Sequence, residues 1–178
     1  NKDRELGVLW IDAHGDFNTP ETTPSGNIHG MPVAAILGRS VFGEMEWART
    51  DVEERNVAMV GLRDIGAEER TAIADSDVTV YTMSDIDNRG MVPIVEDALD
   101  AALDGVERLD PGEAPGVGTP VHGGVTYREA HTAMELIAGT DACVSMEVVE
   151  VNPILDSHNR TAELAVELVA SGLGKQIL

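Results

Sequence analysis

Asp12, His14 and Asp16, spaced two apart in Asp12–Ala13–His14–Gly15–Asp16, carry the clearest chemistry in this chain. They follow Leu6 to Ile11, a continuous apolar run that reads as a buried strand of a parallel sheet. If the backbone stays extended past the strand, period two turns all three side chains to one side. Two carboxylates and an imidazole on one side suit Mn²⁺ and similar divalent cations better than a thiolate site would. A solvated acidic turn is the competing reading. Asp12 weighs against it, because an unpaired carboxylate next to a buried strand is costly.

The elements that must position these residues follow a repeating order. After the first strand comes a loop from Phe17 to Gly30, rich in Asn, Thr, Pro, Ser and Gly, and then a short helical pattern from Met31 to Leu37. Strand signals recur at Asn56 to Leu62 and Asp77 to Thr82, with a helix predicted between them over Ala67 to Ala74. Further helices are predicted over Gly90 to Leu103, over Tyr127 to Ile137 with Thr126 as its opening cap, and over Arg160 to Leu173. A strand is predicted over Ala142 to Val149, ending at Glu150. Strands alternating with helices imply βαβ units in an α/β fold with a mainly parallel, doubly wound sheet. Ligands in such folds bind beyond the carboxyl ends of the strands, where Asp12 and Glu150 fall.

Composition narrows the partners. Thirty-two acids against 12 Lys and Arg give the 178 residues a formal charge of −20, which repels phosphate backbones and anionic lipid surfaces. Nucleic-acid and membrane partners are therefore not expected, and no apolar run is long enough to span a bilayer. The start, Asn1 to Trp10, lacks the pattern of a signal peptide, so the expected location is cytoplasmic. The acids are scattered rather than gathered in a tail, which fits a surface kept soluble in high salt. Cys143, the single cysteine, reads as a buried thiol in the core. No repeat or linker divides the chain, and a single domain over residues 1–178 is expected.

The motifs together resemble the arginase branch of the ureohydrolase family. Besides the Asp-His-Asp block, the matching stretches are Asn18–Thr19–Pro20, Ser25 through Pro32, Gly61–Leu62–Arg63–Asp64, Asp110–Pro111, Gly118 through Glu129, and Glu150–Val151–Asn152–Pro153, in the family's order. The resemblance implies a three-layer α/β/α fold and hydrolysis of L-arginine to L-ornithine and urea by a hydroxide bridging two Mn²⁺ ions. It implies Asp12, His14 and Asp16 as metal ligands, with Asp16 also passing a proton to the leaving amine. It makes His29 a proton relay to solvent, a role open to an imidazole because it can both take up and release a proton, and Glu150 the partner of the substrate guanidinium. Asn18, Ser25 and Asn27 match residues that bind the substrate carboxylate, and Thr119 matches one near the guanidinium pocket. The α-amino group falls to the loop after Arg63, where Gly66 stands in place of the family's second acid and Asp64 and Glu69 are the available substitutes. A homotrimer or homohexamer is implied.

The sequence departs from the family's pattern in two places. The family draws a further ligand histidine from a Gly-Gly-Asp-His block upstream, and two bridging aspartates from a Ser-x-Asp-x-Asp strand before the block matched by Leu109–Asp110–Pro111. Neither block stands in these 178 residues. A fragment or internally deleted form is expected, lacking N-terminal elements and one central strand, with weak metal binding and little catalysis. Two alternatives stand beside an arginase. One is an agmatinase-type amidinohydrolase, disfavoured by Asn18, Ser25 and Asn27. The other is a non-catalytic homologue that binds a guanidino ligand.

Overall fold

The structure, a computed structural model, describes residues 6–46, 52–102 and 121–175. Three strands form a parallel sheet in the order β1 (Leu6–Ile11), β2 (Val52–Leu62), β3 (Thr79–Thr82), with β2 in the middle. Alternation along the strands sends side chains to two different cores. Leu9 and Ile11 of β1 and Ala58 and Val60 of β2 face one side. There they meet α3 (Met83–Arg89), α4 (Met91–Ala102), α5 (Tyr127–Gly139) and α6 (Arg160–Gly172). Val8, Trp10, Val57 and Met59 face the other side, against Val33 of α1 (Pro32–Ile36), Ile73 of α2 (Ala67–Ala74) and Phe17. Helices on both faces of a parallel sheet make a three-layer α/β/α arrangement. No helix among the described residues is long and apolar enough to cross a membrane.

The first strand and the helix over Ala67–Ala74 match the sequence reading. Helix α3 is an element the periodicity does not reveal, because its seven residues are mostly polar and bury only Ile86. Its start is encoded in a capping box instead: the Thr82 hydroxyl accepts from Asp85 N–H, and the Asp85 carboxylate accepts from Thr82 N–H at 2.7 Å. Thr126 and Glu129 repeat that device at the start of α5.

The strand expected over Ala142–Val149 does not form. That stretch has no strand pairing, and Val144 is 61% exposed. An alternating apolar run becomes a strand only where a neighbour completes its hydrogen bonds, and no described strand lies beside this one. The segment instead lays Met146 and Cys143 against the core of α5 and α6, leaving the cysteine half-buried rather than enclosed. The expected gap in the sheet falls within residues 103–120, outside the described residues.

Candidate active site

The carboxyl ends of β1 and β2 are stitched together by backbone. Asp12 N–H donates to Val60 O at 3.0 Å, and Arg63 and Asp64 N–H both donate to Ala13 O at 2.9 and 3.0 Å. Gly61 allows this crossing: its φ of +89° lies in the region that favours glycine, and a Cβ there would sit 3.4 Å from Asp12 O. The pairing of β2 with β3 shifts register at this point, which turns the following residues toward the β1 loop.

Beyond these strand ends lies a cavity of about 300 Å³. Asp12, His14, Asp16, Asn18, Ser25, His29, Asp64, Glu69 and Glu150 all line it, so residues more than a hundred positions apart share one cavity. Thr23, Pro24, Gly30 and Gly66 complete the lining. Asn27 is exposed on the same loop and does not line the cavity. Thr119 lies outside the described residues.

The Asp12, His14 and Asp16 triplet meets differently from the sequence expectation. An extended backbone would have aligned the three side chains, but the chain leaves extended geometry after Ile11, and Asp16 takes a left-handed φ of +47°. Period two therefore ends before Asp16. Asp12 and His14 are in direct contact, with His14 Nδ1 3.3 Å from Asp12 Oδ1. Asp16 shares their cavity with its residue largely buried. Among the described residues no three His, Cys, Asp or Glu side chains gather closely enough to hold a metal ion. Two carboxylates and an imidazole in one cavity thus suit manganese in donor type and fall short of a shell in number.

Electrostatics in the cavity are dominated by acids. The hydrogen bond to Asp12 holds the His14 imidazolium above the usual histidine range, burial opposes it, and the charges of Asp12, Asp16 and Asp64 reinforce it. Asp64 Oδ2 stands 3.8 Å from His14 Nε2. Such a wall attracts cations, whether a metal ion, a guanidinium or an ammonium.

The polar loop that also lines the cavity is held by its own side chains. Thr22 Oγ1 accepts from Thr19 N–H at 2.9 Å and donates to Asn18 Oδ1 at 3.1 Å. With its oxygen engaged, the Asn18 amide keeps N–H donors available to an anion.

A family model for the arginase family matches residues 1–174. The chain belongs to the arginase family. It is 50% identical to an arginase of Bacillus subtilis (strain 168) over 183 residues, covering 97% of this chain and 62% of that protein. The crystal structure of the arginase from Bacillus subtilis superposes with a TM-score of 0.91 at 47% identity, covering 98% of this chain and 64% of that one. An Entamoeba histolytica arginase in complex with L-ornithine superposes with a TM-score of 0.87 at 28% identity, covering 98% of this chain and 62% of that one. This chain therefore spans about 62% of the length of the curated relatives it matches.

Within this arginase-family site, two roles escape a reading of motifs. Arg63 donates to three backbone carbonyls, Gly61 O at 3.0 Å, Val121 O at 2.8 Å and His122 O at 3.2 Å, fastening the segment after residue 120 to the end of β2. Glu69 accepts from Phe17 N–H at 2.9 Å. The contacts of Arg63 with Val121 and His122 and of Glu69 with Phe17 are long-range, and sequence spacing carries no signal for them.

Proposed function

We propose that this chain carries the substrate-recognition wall and part of the metal centre of an amidinohydrolase that converts L-arginine to L-ornithine and urea. The observation that carries the reading is the convergence on one cavity of an acidic wall, a polar donor loop and Glu150. Arginine presents a guanidinium, an ammonium and a carboxylate, and the lining offers a complement to each.

Glu150 receives the guanidinium through charge-assisted hydrogen bonds. Asn18 and Ser25 donate to the carboxylate, a group that agmatine lacks, which favours arginine over its decarboxylated analogue. Asp64 and Glu69 face the α-ammonium in place of an acid at Gly66. Asp12, His14 and Asp16 would hold manganese in a two-metal centre. Manganese, when bound, supplies a hydroxide nucleophile near neutral pH by acidifying water. Asp16 passes a proton to the departing amine, and His29, exposed at the cavity mouth, relays protons between the site and solvent. The proposed assembly is a homotrimer or homohexamer.

A non-catalytic guanidino-binding homologue is the second reading, favoured by the absence of a three-ligand cluster among the described residues. Metal stoichiometry by calorimetry and urea release from L-arginine in high salt separate the two. Arginine binding with manganese-dependent urea release, lost in Asp16→Ala, supports the hydrolase. Arginine binding with no urea at any manganese concentration leaves the binding protein.

A further inference from the structure

The buried carboxylate of Glu69 sits behind the loop that carries Asp16, not only beside the cavity. Its residue is 6% exposed, and its Oε1 accepts the backbone N–H of Phe17, fifty-two residues earlier. Phe17 is itself fixed, with its ring buried in the second core under the Arg39 guanidinium, 4.6 Å from the ring centroid. On the other side, Asp16 O accepts N–H from Val33 at 3.0 Å and from Ala34 at 3.3 Å. The peptide unit joining Asp16 to Phe17 is therefore gripped at both its N–H and its C=O, and Asp16, just before it, holds a left-handed φ of +47°. Gly15 completes the fit: a Cβ there would lie 2.9 Å from Glu69 Oε1 and 2.9 Å from Ile73 Cδ1.

We infer that Glu69 is a positioning residue for Asp16, its carboxylate fixing the Phe17 peptide so that the Asp16 side chain is presented to the cavity. The inference deepens the amidinohydrolase reading and rests on it only for what Asp16 then does. The grip requires an acceptor oxygen on Glu69 and not its charge, which separates it from recognition of an ammonium. It also gives a reason for glycine before Asp16, since a Cβ at position 15 would crowd the Glu69 carboxylate and Ile73, at 2.9 Å from each, and disturb the hold on Phe17 N–H.

Hydrogen exchange of the Phe17 amide and Mn²⁺ affinity, measured on the full 178-residue chain for Glu69→Ala, Glu69→Gln and Gly15→Ala, test this. Glu69→Ala is expected to lower Phe17 protection by about tenfold or more and to weaken Mn²⁺ binding several-fold. Glu69→Gln, which keeps the oxygen, is expected to restore both to within about twofold of the parent. Gly15→Ala, which leaves Glu69 in place, is expected to reproduce the Glu69→Ala losses and serves if that variant fails to fold. Unchanged Phe17 protection in Glu69→Ala would overturn the grip. Lost protection with unchanged Mn²⁺ affinity would overturn its link to Asp16, as would a Glu69→Gln variant as impaired as Glu69→Ala. A parent chain that binds no Mn²⁺ would refute the metal role and the link to it, while the Phe17 contrast would still decide whether Glu69 holds the loop.

Discussion

Asn18 is a side chain whose function depends on which of its ends is already occupied. Thr22 Oγ1 takes its carbonyl oxygen, so the amide N–H groups remain for a ligand carboxylate. Replacing Asn18 with Ala is expected to raise KM for L-arginine by about tenfold or more, the range for a lost hydrogen bond to a charged group. KM for a carboxylate-free guanidine is expected to stay unchanged, and steady-state kinetics on both substrates give the ratio. Glu150 should behave in the opposite way, because the guanidinium is common to both. Glu150→Gln is expected to weaken binding of both substrates by a similar factor, read by calorimetry. Equal effects of the Asn18 variant on both substrates would detach that loop from the carboxylate.

At the scale of elements, the site depends on how strand ends and helix starts are tied. Arg63 joins the end of β2 to the segment at Val121 and His122 through three carbonyls. Arg63→Ala is expected to destabilise the fold by about 1–3 kcal/mol, the range for hydrogen bonds to a charged group, measured by urea denaturation. Lysine cannot reproduce the forked geometry and is expected to recover only part of this loss. The start of α3 has its own pH signature. The Thr82 hydroxyl and N–H hold the Asp85 carboxyl below the usual aspartate range, so the folded state binds that proton less readily than the unfolded chain does. Its contribution is therefore complete above the unfolded aspartate pKa and is lost as pH falls through the lower folded value. Thr82→Ala is expected to cost about 1 kcal/mol at neutral pH and to flatten the acid limb of stability against pH, as thermal melts between about pH 2 and 6 would record.

Over the whole molecule, the formal charge of −20 sets how the fold meets its solvent. Like charges spread over a compact surface repel, and salt screens them over about 10 Å at 0.1 M and about 3 Å at 1 M. The melting temperature is accordingly expected to rise by several degrees between about 0.1 M and 2 M KCl; a fall would remove the high-salt reading of the composition. The same chain shows what its sequence determined unaided. The apolar run Leu6–Ile11 and the helical spacings of α4, α5 and α6 are legible because burial on one or both faces imposes a period on neighbouring residues. The motif blocks point to Asp12, His14, Asp16, Asn18, Ser25, His29 and Glu150 because short spacings survive in one dimension. Tertiary structure decided the rest. Whether Ala142–Val149 pairs as a strand depends on a neighbour that its own pattern cannot name, and α3 is specified by a cap rather than by periodicity. The left-handed turn at Asp16, the grip of Glu69 on Phe17 and the reach of Arg63 to Val121 join residues 52 and 58 positions apart. Those contacts are set by how the two cores pack against the sheet, which is a property of the folded chain and not of any stretch within it.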